Sequence, residues 1–95
     1  MAAYVIVQVE VTDGERFGGY LQETPRVITL YGGRYVARGG ETVILEGKAQ
    51  SKRVVLIEFP SLRQAEEWYH SAEYEQIKPL RAGAATASIV AVDGC

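Results

Sequence analysis

The sequence predicts a single α+β domain of βαββαβ order with an antiparallel sheet, and three observations predict it. Apolar residues alternate with period two near the start, in the middle and at the end of the chain. Between those stretches, two segments carry apolar residues at helical spacing behind Ser/Thr caps. No composition break, repeat or linker divides the 95 residues, so residues 1–95 read as one domain. A chain of this size buries only roughly 60–70% of the surface its unfolded form exposes, which leaves its stability marginal without a partner.

The first strand spans residues 4–11, where Val5, Val7, Val9 and Val11 alternate with Tyr4, Ile6, Gln8 and Glu10. One face is all valine and the other is mixed. Thr12 and Glu15 then form a capping box, and Phe17, Tyr20, Leu21, Val27, Ile28 and Tyr31 follow at helical spacing up to Gly32-Gly33, which suit a left-handed cap. Pro25 lacks an amide hydrogen and is expected to kink this helix or restart it with Thr24 as a new cap. Residues 34–38 and 42–46 read as two strand pieces around Gly39-Gly40, either a tight hairpin or one bulged strand.

After a polar loop at 47–51, residues 52–59 form the strongest strand, with Val55, Ile57 and Phe59 opposite Val54, Leu56 and Glu58. Pro60 stops it, and Ser61 with Gln64 caps a second helix bearing Leu62, Ala65, Trp68 and Tyr69. Ser71 caps a further segment with Tyr74, Ile77 and Leu80, which Pro79 ends or bends, and the last strand is 88–93.

In a ferredoxin-like arrangement both helices cover one face of the sheet, and the other face is polar when it meets water. Here both faces of the central strand are apolar, so one greasy face is left uncovered and a homodimer built sheet to sheet is expected.

The totals exclude several function classes. Ten Lys and Arg against twelve Asp and Glu give a net charge of −2 with no basic block, so no nucleic-acid partner is expected; the single Arg38-Gly39-Gly40 lacks the repeats and aromatics that RNA binding requires. The apolar opening is too short to span a bilayer and is broken by Gln8 and Glu10, so neither a membrane nor a secretory signal is expected and the location reads as cytoplasmic. Cys95 is the one cysteine and His70 the one histidine, which leaves no thiol or histidine cluster for a metal. No phosphate loop, dinucleotide fingerprint or nucleophile elbow is present, so no cofactor is indicated.

The segments Arg38-Gly39-Gly40, Glu46-Gly47, Glu58-Phe59-Pro60-Ser61 and Trp68-Tyr69-His70-Ser71-Ala72-Glu73-Tyr74 together resemble the uncharacterised domain-of-unknown-function family 1330 over nearly the whole chain. The resemblance implies the dimeric α/β-barrel superfamily, in which two ferredoxin-like units join their sheets. It departs at Ala72, where the family usually has proline, and at Gly18-Gly19. The family supplies no agreed reaction, so it assigns no residue a role, and borrowing a superfamily activity would be analogy at the level of fold.

The residues themselves offer one candidate site for a small-molecule ligand. Glu58 lies in an otherwise apolar strand where an unpaired charge is costly, and Arg38 is its expected partner, with Glu10 a third member if it points into the same space. Trp68 and Tyr69 would border the cavity, although aromatics at helical spacing are more often core. His70 is the natural general base near neutral pH, set against the plainer reading of a surface histidine at a helix end. Two hypotheses result: a ligand-binding homodimer, extending to a cofactor-independent enzyme, or a non-catalytic dimeric interaction module.

Overall fold

The computed structural model describes residues 2–48 and 53–95. β1 (Ala3–Val11) runs through the sheet's interior, antiparallel to β3 (Arg53–Phe59) on one side and to β4 (Ala85–Asp93) on the other; β2 (Arg34–Arg38) pairs with the far edge of β3. The resulting order β2-β3-β1-β4 is the ferredoxin-like βαββαβ arrangement. Helix α1 (Gly14–Leu30) joins β1 to β2. Helices α2 (Leu62–Tyr69) and α3 (Ala72–Ile77), followed by a 3₁₀ turn at Lys78–Arg81, join β3 to β4.

Side-chain parity sorts the sheet into two faces. Val5, Val9, Val55, Ile57 and Phe59 are buried on the inner face beneath Phe17, Tyr20, Val27 and Ile28 of α1, Trp68 of α2 and Tyr74 of α3. On the outer face Tyr4 stands between Glu58 and Val92, and Ile6 between Leu56 and Val90. Val90 and Val92 are 55% and 47% exposed there. The all-valine face of β1 therefore turns inward, and an apolar patch remains on the side no helix covers.

Several local expectations are corrected. The cap of α1 is Asp13, whose carboxylate accepts the Arg16 N–H at 3.2 Å. The amides of Thr12 and Asp13 both donate to the Ala84 carbonyl, at 2.8 and 2.9 Å, which ties this turn to the start of β4 and leaves Asp13 as the residue facing the helix.

Pro25 neither breaks nor restarts α1, which is continuous from Gly14 to Leu30. A proline leaves the carbonyl four residues earlier without its helical donor, here that of Leu21. The guanidinium of Arg38 donates to that carbonyl at 3.3 Å, and the neighbouring Thr24 hydroxyl donates to the Tyr20 carbonyl at 2.6 Å. The helix closes as expected at Gly32 (φ +82°), with Gly32 N–H donating to the Thr29 carbonyl and Gly33 N–H to that of Ile28.

Residues 42–46 form no strand. Gly39 N–H completes the pairing to Val54 and its φ of +71° turns the chain away, so the following residues have no ladder to join; Val43, Ile44 and Leu45 are 74%, 58% and 93% exposed. Lys52, expected to open β3, and residues 49–51 of the expected loop lie outside the described residues. β4 begins at Ala85, three residues before the expected start at 88, because Ala85 and Ala87 continue the register against Val11 and Val9.

Gly33 sits where a Cβ would lie 2.6 Å from the Phe59 ring and 2.8 Å from the Ile28 methyl. Gly33→Ala is therefore expected to cost about 1–3 kcal/mol by overpacking, read as a lower urea midpoint at unchanged m.

The Tyr31 hydroxyl donates to Glu73 at 2.7 Å, tying α1 to α3, and this hydrogen bond holds the Glu73 carboxyl below its ordinary 4.5. A depressed carboxylate stabilises the fold above its unfolded value and loses that contribution as pH falls through the folded one. The melting-temperature gap between wild type and Tyr31→Phe should therefore be full at neutral pH and narrow below pH 4.5.

Candidate functional site

Between the inner face and the helices lies a cavity of about 40 Å³, floored by Val7, Val55 and Ile89 and roofed by Phe17, Tyr20 and Leu21 of α1 with Trp68 of α2. That is room for two or three waters at the ~15 Å³ each requires. Its polar residues are Tyr20, Thr24, Tyr35, Arg38, Arg53 and Arg81, with the Trp68 indole; among the described residues no Asp or Glu lines it.

The fold brings these groups together by three devices. The first is an irregularity in β2: Tyr35 pairs with Ile57, but the register slips so that Ala37 pairs with Leu56 and Arg38 with Val55. In a regular strand Arg34, Val36 and Arg38 would share one face; the bulge turns Arg38 over to the inner one, at the cavity's rim. Its guanidinium lies 4.5 Å over the Tyr35 ring.

The second device is Gly39, whose missing side chain leaves space filled by the Arg53 guanidinium; a Cβ there would collide with it. The third is the 3₁₀ turn after α3, which swings Arg81 back so that its guanidinium carbon stands 5.9 Å from the centre of the Tyr20 ring.

Behind the cavity wall the Tyr20 and Tyr74 hydroxyls share a buried hydrogen bond of 2.7 Å. Burial, and then the adjacent Tyr74, pushes the Tyr20 phenol far above the usual phenol range, so it stays protonated. Burial also raises the Tyr35 phenol, opposed by the nearby Arg38 and Arg53. Trp68 Nε1, Arg53 Nε and Arg81 Nε are buried with no hydrogen-bond partner. All three are donors.

Of the six residues anticipated from sequence, two reach this cavity. Trp68, 2% exposed, packs on Phe59 and Tyr74 with ring centres 5.4 and 4.8 Å away, so it belongs both to the core and to the cavity wall. Arg38 arrives by the bulge, but not beside Glu58.

Glu58 faces the outer side, where it accepts from Arg34 at 2.6 Å and from the Tyr4 hydroxyl at 3.3 Å. Glu10 shares that face but is paired with Thr86 at the opposite end of β1, roughly 20 Å away at ~3.3 Å per residue, so the expected Arg38–Glu58–Glu10 trio does not form. Tyr69 and His70 border a neighbouring groove of about 170 Å³ between α2 and β4, with Glu66 and Ala91, which shares Trp68 and Ile89 with the cavity. His70 is exposed at the C-terminal end of α2 and meets the Tyr69 ring edge-on at 5.3 Å. Among the described residues no three His, Cys, Asp or Glu side chains gather as metal ligands, and no helix is long and apolar enough to cross a membrane.

Sequence reasoning missed Arg53, Arg81, Tyr20 and Tyr35 as site residues. Arg53 had a signal, since it shares parity with Val55 and Ile57, and Tyr20 shares a helix face with Phe17 and Thr24. Arg81 had none, because its position depends on the turn that follows Pro79.

Among curated proteins none matches the chain. Solved structures do. A protein of unknown function from Rhodopseudomonas palustris is similar at TM-score 0.76 and 17% identity, covering 99% of this chain and 82% of its own. SnoaB, a cofactor-independent oxygenase from Streptomyces nogalater, is similar at TM-score 0.66 and 7% identity, covering 99% and 93%. A dimeric protein of unknown function with a ferredoxin-like fold from Bacteroides fragilis is similar at TM-score 0.55 and 12% identity, covering 98% and 96%. At these identities the likeness shows the ferredoxin-like fold and nothing finer. With a family model matched over residues 2–95, the chain belongs to the domain-of-unknown-function family DUF1330.

Proposed function

We propose that this protein is a homodimer that binds a small organic molecule in the cavity between helices and sheet, the place where a cofactor-independent reaction would also run. The observation that carries the reading is the combination of apolar walls with lining residues, Trp68, Arg53 and Arg81, that each bury a donor lacking a partner. Well-formed apolar pockets with a few polar groups are the usual form of small-molecule sites. A ligand larger than a few waters would enter by displacing Arg38, which is exposed at the rim. SnoaB, named a cofactor-independent oxygenase, is built on the same fold and so sets a precedent for the architecture only.

The dimer reading rests on the outer face. Tyr4, Ile6, Val54 and Leu56 are half-buried and Val36, Val90 and Val92 exposed. Packing this patch against its copy would contribute roughly 1 kcal/mol for each side chain whose exposed half is removed from water. The Bacteroides fragilis protein of like fold is described as dimeric, which supports the same assembly.

One observation favours the rival reading of a non-catalytic dimeric module: the cavity's size, about 40 Å³. Filling it decides between them. Indole, benzoate and benzylamine are expected to give at least one binder that perturbs the amide signals of cavity residues, and Ala87→Leu, which occupies the cavity, is expected to abolish that binding with the fold intact. If wild type binds none of the three, the module reading replaces the ligand reading.

For the assembly, light scattering at micromolar concentration should return twice the 10.4 kDa chain mass. Leu56→Glu, a charge placed in the outer patch, should return the monomer mass; a wild type that is itself monomeric removes the dimer.

A further inference from the structure

Resting on the small-molecule reading of the cavity, we infer the class of compound it takes: a planar, mostly apolar molecule carrying an oxyanion, either a carboxylate or a phenolate. Among the described residues the charged groups of the lining are all cations. Arg38, Arg53, Arg81 and Trp68 offer only donors, because guanidinium and indole N–H groups have no accepting capacity; the hydroxyls of Thr24, Tyr20 and Tyr35 can accept but carry no charge, and among the described residues no carboxylate lines the same space.

Trp68 is 2% exposed and its Nε1 has no partner, so whatever completes its hydrogen bonding must be an acceptor. Arg53 and Arg81, both half-buried, each bury an Nε without a partner.

Charge narrows the class further. The ion pair found among the described residues is Arg34–Glu58, on the opposite face of the sheet, so the cavity's three guanidiniums stand without a carboxylate. Charges drawn partly out of water are costly until an opposite charge joins them. The faces of Tyr35 and Tyr20, beneath Arg38 and Arg81, offset part of that cost through the ring quadrupole. They supply no net negative charge, since burial keeps the Tyr20 phenol protonated.

An amine would add a further cation, and a neutral polyol, although the Thr24 and Tyr35 hydroxyls could accept from it, would leave the guanidinium charges uncompensated. The flat aromatic walls, Phe17, Tyr20, Tyr35 and Trp68, favour a planar body. An oxyanion on such a body meets both requirements.

The chain has one tryptophan, so a single indole ¹H–¹⁵N signal reports directly on Trp68. Titrating with cinnamate, 4-nitrophenolate, cinnamamide and cinnamylamine separates carboxylate, phenolate, neutral and cationic head groups. At least one of the two anions is expected to bind about tenfold or more tighter than cinnamamide and to move the indole proton downfield. Cinnamylamine is expected to bind weakest.

Arg81→Met should erase most of the preference for the anion. Because Arg81 also packs on Tyr20 and its loss could unfold the chain, Arg38→Met at the exposed rim is the second variant and should reduce the preference with the fold retained. Cinnamamide or cinnamylamine binding as tightly as both anions overturns the oxyanion class while leaving the cavity a binding site. If no probe of any charge moves the Trp68 signal, the small-molecule reading itself is overturned.

Discussion

Alternation of side chains across a strand governs this molecule. Because β1 and β3 are apolar on both faces, the single helical layer buries Val5, Val9, Val55, Ile57 and Phe59 and leaves Tyr4, Ile6, Val54 and Leu56 on the far side. The inner burial supplies the core of a small domain, and the outer residue of that pattern is the surface on which the proposed dimer rests. Both follow from period two meeting one layer of helices.

The cavity departs from this regularity in a way that can be traced residue by residue. Pro25 removes one helical hydrogen bond from α1 and frees the Leu21 carbonyl; the bulge in β2 turns Arg38 to the inner face; Arg38 donates to that carbonyl. A local defect in the helix and one in the strand thus satisfy each other at the rim of the site. Gly39 then makes space for Arg53, and the turn after Pro79 returns Arg81 to Tyr20. Bulges, positive-φ glycines and short 3₁₀ turns concentrated around one space are where a fold spends stability on positioning side chains.

Glu58 shows how sequence reasoning found a residue but misplaced its role. A carboxylate in an apolar strand needs a cation, and it has one, Arg34, directly opposite in the β2–β3 register. Arg38 lies four residues further along β2, opposite Val55 on the inner face, out of reach of Glu58. Trp68 was visible as an aromatic at helical spacing, and its double position in core and cavity wall follows from its size. The missing strand at 42–46 teaches the same lesson, since β-propensity without a neighbouring ladder leaves Val43, Ile44 and Leu45 in solvent.

By itself the sequence determined what short-range physics controls: the order of strands and helices, the caps at Ser61 and Ser71, the stop at Gly32-Gly33, and the excess of apolar surface over what two helices shield. The tertiary structure alone decided which arginine meets which carboxylate and which donors gather around one cavity. Those outcomes hang on register, a one-residue bulge and the direction of a turn. Each is settled by contacts between segments far apart in the chain, and a shift of a single residue sends a side chain to the opposite face of the sheet.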